Sequence, residues 1–429
     1  MFKKIFFFFS IICSLSDIYA QKITVLQIVS SAIRDAKLSA NQQNLSFNQN
    51  LNYKLPLLRK IDVRVGTNGN LTADTLDGGL VNEDYFALVL STNNFKEMRL
   101  QRALQQAQSD IYIAENQYLN NLIIYERYQA IATVFHAKIL SEARFKLQQL
   151  LQDKEQVLRL SLEQGLNIRF KDIMDAEADK TALANALLDY ENNIVIQEQR
   201  IRQFLNLDKN QTLDFDYQDF INPNSIELNV KSIKKDSSFF HPIIAFRQKQ
   251  AEFSAAEYRL ENAQNRQIFN FLQFGYNYLN YKPTPLKRFN PSNDIAVRLG
   301  LTVPLPANNN LKRAQTALKQ KEDEQNTILA QAQQSKSVDI QYVKIENILK
   351  SLRLNEQNTK ESLITKALKS DKILSQLTAS EILDLKIIDL KMSLKQLELQ
   401  SELSNEYLRF LELTGAFVRE KEKNFLANF

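Results

Sequence analysis

Two kinds of hydrophobic periodicity alternate along the chain. In two long regions, from about Phe95 to about Leu205 and from about Leu311 to about Leu413, apolar residues recur every three or four positions, which is the period of an α-helix. Each region is preceded by two short segments in which apolar and polar residues alternate strictly, as in a β-strand with one apolar face. The pattern therefore predicts a mainly α chain with a small β part.

The helical regions carry apolar stripes typical of helices that pack side by side. In the first region the stripe consists of Ile124, Tyr128, Ile131 and Phe135. In the second region it follows the heptad spacing of coiled coils and consists of Leu383, Ile387, Leu390, Leu394 and Leu397. We interpret both stripes as core seams. A helix of about 70 residues is roughly 105 Å long, so these helices exceed the size of a compact domain.

The predicted strands form one pair at about 61–92 and a second at about 269–304. Alternation of this kind fits a transmembrane β-barrel, although a soluble β-sandwich would show it as well. Four strands cannot close a bacterial outer-membrane barrel, for which about eight is the usual minimum. Because an open sheet edge is unfavourable in lipid, several chains would have to combine their strands. After the last strand, Pro304 and Pro306 are expected to end β pairing and to form the joint to the next helix.

The two halves of the chain predict two tandem structural repeats. We place the first at 21–206 with a helix-hairpin tip near 165, a linker at 207–233, and the second at 234–429 with a tip near 377. The strand ends at Ser91 and Val303 differ by 212 positions, and the same shift relates Asp172 to Asp384.

The first 20 residues have the composition of a secretory signal peptide. Lys3 and Lys4 precede an apolar core, and Ala20 offers a cleavage site. Cys13, the only cysteine, lies within this segment after Ile12, which is not the small residue that lipidation requires, so we expect no lipid anchor and no disulfide. The formal net charge of +5 is small and the charges are mixed, which argues against nucleic-acid binding.

Residues with catalytic potential are sparse. The two histidines, His136 and His241, are far apart in the sequence and lack neighbouring carboxylates or thiols, so we interpret both as structural. The four methionines do not cluster, and no phosphate-binding glycine loop or nucleophile motif occurs. We therefore expect no enzyme activity, no metal and no cofactor.

Several segments, in order and at matching spacing, resemble the outer-membrane efflux protein family, which includes TolC. They are "ITVLQIVSSAIRDAKLSANQQNL", "LEQGLNIRFKDIMDAEADKTAL", "HPIIAFRQKQAEFSAAEYRLENAQ" and "LGLTVPLPANNNLKRAQTALKQ". Together these segments extend the resemblance over essentially the whole chain after the signal segment.

The resemblance implies a homotrimer with a shared 12-stranded transmembrane β-barrel in the outer membrane and a long α-helical barrel in the periplasm. It also implies a periplasmic adaptor (membrane fusion) protein and an inner-membrane transporter of the RND, ABC or MFS type as partners. The expected function is that of a passive exit duct in a tripartite efflux or type I secretion system. An exported periplasmic coiled-coil adaptor or scaffold without channel activity is the alternative.

The family resemblance also points to the hairpin tips. Gly165 and Leu166 resemble the family's helix-tip turn, and Glu381 with Asp384 resemble its paired acids at the periplasmic entrance. Asp172 and Asp175 repeat the same spacing at the other tip. Threefold symmetry would turn such acids into a carboxylate ring that gates or selects ions, whereas acids in a first helical turn are also common because they favour the helix dipole.

Overall fold

The computed structural model describes residues 21–51, 58–71, 80–92, 95–165, 169–208, 213–215, 220–235, 241–264, 269–280, 294–301, 310–420 and 423–427. The predicted signal segment 1–20 lies outside these ranges, as do Leu166, Pro304 and Pro306.

Helices form most of the described structure and a small antiparallel sheet forms the rest, which confirms the predicted fold class of a mainly α chain with a small β part. In chain order, the helices are α1 (Val25–Ser30), α2 (Ala36–Asn50), α3 (Phe95–Glu163), α4 (Phe170–Leu205), α5 (Pro223–Lys235), α6 (Pro242–Gln264), α7 (Asn310–Glu361), α8 (Leu363–Leu368), α9 (Asp371–Leu374), α10 (Ala379–Thr414) and α11 (Ala416–Arg419). The strands are β1 (Gln21–Ile23), β2 (Leu58–Leu71), β3 (Leu80–Thr92), β4 (Leu213–Phe215), β5 (Phe269–Asn280) and β6 (Asp294–Leu301).

The second long helical region is interrupted over a longer stretch than its periodicity indicates. Between α7 and α10 the chain forms the short helices α8 and α9, and Ser362, Ser370 and Thr378 stand at the three helix starts. Ser362 accepts a hydrogen bond from the Ile364 N–H at 3.2 Å, and Thr378 accepts one from the Glu381 N–H, whereas Ser370 makes no side-chain cap bond. Hydroxyl caps, rather than a glycine turn, therefore start two of these three helices.

Helices α4 and α10 correspond in length as well as in order. Each has 36 residues, and their first and last residues are related by a shift of 209 positions. This shift matches Asp172 with Glu381 and Asp175 with Asp384, whereas the shift of 212 taken from the strand ends matched Asp172 with Asp384. The two shifts differ by three residues, which is close to one helical turn, so residues matched by either shift lie on nearly the same side of their helices.

The chain divides into two compact units, one formed by Met1–Ala40, Asn116–Pro242 and Gln331–Phe429 and the other by Asn41–Glu115 and Ile243–Ala330. We call them the helical unit and the sheet unit. In the helical unit, a large apolar core includes Tyr128, whose ring stacks on Phe417 with centroids 5.3 Å apart. A second core cluster contains Ile387 and Leu394, with Leu390 and Leu397 packed against it, which confirms these four positions of the heptad stripe as a seam.

The sheet unit contains four antiparallel strands in the order β2-β3-β5-β6. Irregularities in pairing occur near the start of β2 and the start of β5, between Leu58 and Lys60 and between Phe269 and Phe271. In the helical unit, β1 and β4 form a separate two-stranded parallel sheet. Within the described ranges, no helix is both long enough and apolar enough to cross a membrane.

Candidate functional site

The first helix break lies between α3 and α4 and contains the predicted tip residue Gly165. Its N–H donates to the Leu162 carbonyl at 3.0 Å, and its backbone adopts a φ of +72°. This left-handed conformation is strained for residues with a Cβ atom, so glycine is well suited to end a helix here.

The start of α4 contains both acids predicted at the first tip. The Arg169 Nε lies 3.3 Å from the Asp172 Oδ2, and the Arg169 side chain is 82% exposed, so this ion pair lies in solvent. Asp175 is exposed and has no ion-pair partner among the residues that the structure describes. Both carboxylates lie near the N-terminus of α4, where the helix dipole favours negative charge.

At the second break, Glu381 forms a capping box with Thr378. The Thr378 N–H and hydroxyl both donate to the Glu381 Oε2 at 2.8 Å, and the Glu381 N–H donates to the Thr378 hydroxyl oxygen at 3.3 Å. The hydrogen bonds that Thr378 donates lower the pKa of Glu381 from its ordinary value, and the bond from the Thr378 backbone N–H has the largest effect. The exposed Glu381 carboxylate is therefore held ionised at the start of α10.

The other acid of this pair, Asp384, binds a lysine of a different helix. The Lys154 Nζ of α3 lies 2.7 Å from the Asp384 Oδ1. Nearby in sequence, the Lys391 Nζ of α10 lies 2.8 Å from the Asp179 Oδ2 of α4. These two ion pairs join α10 to both helices of the first hairpin. The sequence does not indicate the role of these two lysines, because the spacing of residues along a helix carries no information on a partner more than 200 positions away.

A further charge network joins α3 to α4 close to the first break. Glu155 lies 2.8 Å from the Lys180 Nζ and 2.7 Å from Arg159, whose guanidinium also lies 2.9 Å from Glu177. The hydrogen bond from Lys180 is the main cause that lowers the pKa of Glu155. A small apolar cluster joins the same two helices and consists of Leu158, Ile173 and Ala176. The base of this hairpin tip is thus held by charge pairs and by apolar packing.

The four-stranded sheet of the other unit has one apolar face. Its register aligns apolar residues in three rows across all four strands: Ile61–Leu90–Leu272–Leu299, Val63–Leu88–Phe274–Val297 and Val65–Phe86–Tyr276–Ile295. Many of these side chains are exposed, with Val63 at 58% and Leu299 at 56%. A continuous exposed apolar surface of this kind is unfavourable in water.

The opposite face of the sheet has charged side chains on its edge strands and mostly small or uncharged residues on its central strands. One row across the strands is Arg64–Ala87–Gly275–Ala296, and the next is Asp62–Val89–Gln273–Arg298. Both arginine side chains are exposed, and Asp62 lies 2.8 Å from the Lys60 Nζ. The two faces therefore differ sharply in chemistry.

Gly300 lies on this second face and is in close contact with the aromatic ring of Phe271. It pairs with Phe271 in the β5–β6 register, and the Phe271 ring occupies the position that a Cβ atom at Gly300 would take. The aromatic ring thus covers the glycine, a contact that pins the register of the two strands. The sequence pattern identified Gly300 as a member of the polar face but did not reveal this contact.

Each histidine is buried and bonded inside the helical unit, in agreement with their interpretation as structural residues. The His136 Nε2 lies 2.9 Å from the Ser404 Oγ, and the His241 Nε2 lies 3.2 Å from the Glu412 carbonyl oxygen. Burial lowers the pKa of each imidazole to about 4, so both are neutral at pH 7. In the part of the chain that the structure describes, no group of three or more histidine, cysteine, aspartate or glutamate residues could hold a metal ion.

No family model and no curated protein matches the sequence. Solved structures do match. The outer-membrane channel OprN has a TM-score of 0.64 at 13% identity, over 91% of this chain and 90% of that one. VceC of Vibrio cholerae, an outer membrane protein, has a TM-score of 0.61 at 12% identity, over 91% of this chain and 96% of that one. CusC, whose structures concern folding and transmembrane channel formation, has a TM-score of 0.60 at 12% identity, over 92% of this chain and 93% of that one.

At this level of identity the similarity establishes the fold alone, and it extends over nearly the full length of each protein compared. The chain therefore has the fold of the TolC-like outer-membrane channels, which confirms at the level of fold the resemblance found in its sequence motifs.

Proposed function

We propose that the protein is the outer-membrane channel of a tripartite efflux or type I secretion system. The observation that carries this proposal is the sheet with one continuous apolar face, in which β2 and β6 are the edge strands of the described structure. Rows such as Val63–Leu88–Phe274–Val297 present apolar side chains outward on every strand. A lipid environment would remove this surface from water and would leave the opposite, polar face to a wet lumen.

The sheet edges support a homotrimer. Within the described ranges, β2 and β6 each pair with a neighbour on one side only. An unpaired edge is unfavourable in hydrocarbon because its N–H and C=O groups lack partners there. Three copies would supply twelve strands, enough for a closed transmembrane barrel, with β6 of each protomer beside β2 of the next.

In this proposal residues 1–20 direct export, the strands lie in the outer membrane and the long helices enclose a passage in the periplasm. The channel would act with a periplasmic adaptor (membrane fusion) protein and an inner-membrane transporter of the RND, ABC or MFS type, which would supply the energy. The protein itself would be a passive conduit rather than an enzyme.

We also propose that Glu381, Asp384, Asp172 and Asp175 contribute negative charge at the periplasmic entrance. Asp172 and Glu381 lie in the first turns of α4 and α10, and Asp175 and Asp384 follow three residues later on the same helices. These positions support the proposal, since threefold repetition would bring several carboxylates to the helix starts. Asp384 and Asp172 are partly neutralised by Lys154 and Arg169. The exposed carboxylates of Glu381 and Asp175 are therefore the ones most available to passing cations.

Fractionation, cross-linking and bilayer recording test the proposal together. We expect the protein in the outer membrane, cross-linked species up to a trimer, and stepwise conductance after purification in detergent. A soluble periplasmic monomer without conductance would instead support the alternative of an exported coiled-coil adaptor or scaffold. For the entrance acids, the double variant Glu381→Ala/Asp384→Ala should reduce cation preference, and an unchanged reversal potential would contradict their role.

A further inference from the structure

Among the described side chains on the polar face of the four-stranded sheet, cations outnumber acids. Among the side chains described on this face, Lys60, Arg64 and Arg298 are cationic and Asp62 is the single acid. Asp62 forms its ion pair with Lys60, at 2.8 Å, and not with either arginine. The charges of Arg64 and Arg298 are therefore not neutralised by Asp62. The two guanidinium groups lie on the two edge strands, β2 and β6.

The rows that contain these arginines leave space beside them. Arg64 shares its row with Ala87 and Gly275, neither of which extends beyond a Cβ atom. In the adjacent row Arg298 is the direct partner of Gln273, an uncharged residue that can also donate hydrogen bonds. The directly paired residues of the two arginines, Ala87 and Gln273, are therefore small or neutral, and both arginine side chains are exposed.

From this arrangement we propose that Arg64 and Arg298 form a belt on the barrel wall that binds anionic groups of the exported molecule, such as carboxylate, phosphate or sulfate. The belt rests on the proposed function, since it requires that the polar face lines a lumen. In a trimer, β6 of one protomer would adjoin β2 of the next, so the Arg298 and Arg64 of neighbouring chains would alternate around the wall.

The physical basis is the combination of guanidinium chemistry and confinement. The planar guanidinium group binds carboxylate and phosphate oxygens through paired hydrogen bonds, and rings of arginine favour anions in pores. A low-dielectric wall also concentrates the field of like charges and raises the local concentration of counter-ions. The charge of the belt would thus be opposite in sign to that of the acids proposed at the helix tips, and cargo with an anionic group would be retained at the barrel.

Block of single-channel current by inorganic tripolyphosphate tests the belt. The purified full chain is inserted in planar bilayers, and the concentration that halves the current is measured for wild type, Arg64→Gln, Arg298→Gln and the double variant. We expect the blocking concentration to rise about tenfold or more in the double variant, because the charge-assisted bonds to the anion are lost. Arg64→Lys, which keeps the charge, should keep most of the block.

Asp62→Asn is the matched control, since it removes the one described acid of the same face and frees Lys60. It should lower the blocking concentration, opposite in direction to the arginine variants. A conducting wild-type channel whose block is the same in Arg64→Gln/Arg298→Gln would overturn the belt and leave the channel proposal intact. Failure of the wild type to conduct would overturn the channel proposal and the belt with it.

Discussion

Lys154 of α3 and Asp384 of α10 form an ion pair with 2.7 Å between the Nζ and the Oδ1. The pair joins a helix of the first hairpin to the returning helix of the second, across more than 200 residues of sequence. Both side chains are partly exposed, at 20% and 45%, so the pair is screened by solvent.

Removing this pair should change local geometry more than global stability. We expect Lys154→Met to alter the free energy of unfolding by less than about 1 kcal/mol, since exposed pairs contribute little. If the channel proposal holds, the same variant should raise the mean conductance, because α10 is less firmly held. Lys391→Met, which breaks the pair to Asp179, is the comparison. A conductance equal to wild type in both variants would show that the pairs do not restrain the entrance.

The capping box at Thr378 should be measurable as local stability. Thr378→Ala removes the hydroxyl that accepts from the Glu381 N–H, at a cost of about 1 kcal/mol to the start of α10. Hydrogen exchange of the first-turn amides should therefore accelerate several-fold. Thr316→Ala is the control, because that hydroxyl donates to carbonyls within α7 and caps no terminus. Equal acceleration in both variants would contradict the capping role.

A larger residue at Gly300 should impair assembly because it clashes with Phe271, and a smaller residue at Phe271 should relieve that clash. We expect Gly300→Ala to reduce the amount of assembled protein in the membrane, since its Cβ would overlap the Phe271 ring. Gly300→Ala/Phe271→Ala should recover assembly in part, because the ring is removed. Semi-native electrophoresis of membrane extracts measures the trimer. If Gly300→Ala assembles as wild type does, the close contact is not needed for the register of β5 and β6.

The two faces of β2 should respond differently to charge. Val63→Lys places a cation in the apolar row and should cost about 2–4 kcal/mol if that face meets the bilayer interior. Arg64→Gln, at the next residue but on the opposite face, should leave membrane assembly unchanged. Quantifying the trimer in purified outer membranes compares them. Normal assembly of Val63→Lys would argue against a lipid-facing surface.

The buried histidines should make stability depend on pH. Because burial lowers the pKa of His136 from 6.5 to about 4, the unfolded chain binds its proton first as pH falls. Stability from this group is therefore present above pH 6.5 and is lost as pH decreases toward about 4, by roughly 3 kcal/mol at most. Burial raises the pKa of Glu412, which acts in the opposite direction.

The difference between wild type and His136→Gln isolates the histidine, because the contributions of Glu412 and His241 cancel. Denaturant unfolding at pH 7 and pH 5 should show a smaller loss of stability in the variant than in wild type. Parallel pH profiles would mean that His136 is not titrated on unfolding in this range.

How far sequence could predict this protein depends on how local the relevant pattern is. The long helices were predictable because a 3.6-residue period recurs over tens of residues, and the β2 and β6 strands because Ile61, Val63 and Val65 or Leu299 and Leu301 alternate with polar residues. The capping of α8 by Ser362 was not predicted, since hydroxyl residues are common within helical stretches and only some act as caps.

The candidate site was predictable only as residue types near helix starts. Glu381 and Asp384 were identified together, yet the structure engages one with Thr378 three residues away and the other with Lys154 on a distant helix. The first interaction is local and follows a known sequence signature. The second depends on which faces of α3 and α10 meet, which a single sequence does not specify.

The sequence by itself determined the fold class, the helix seams and the two-faced strands, because these follow from the spacing of apolar side chains within each element. Only the tertiary structure decided the cross-sheet rows that bring Arg64 and Arg298 to one face, the Phe271 ring over Gly300, and the ion pairs Lys154–Asp384 and Lys391–Asp179. The physical reason is that periodicity sets which face of an element is apolar, whereas register and helix contacts depend on the packing of segments far apart in the chain.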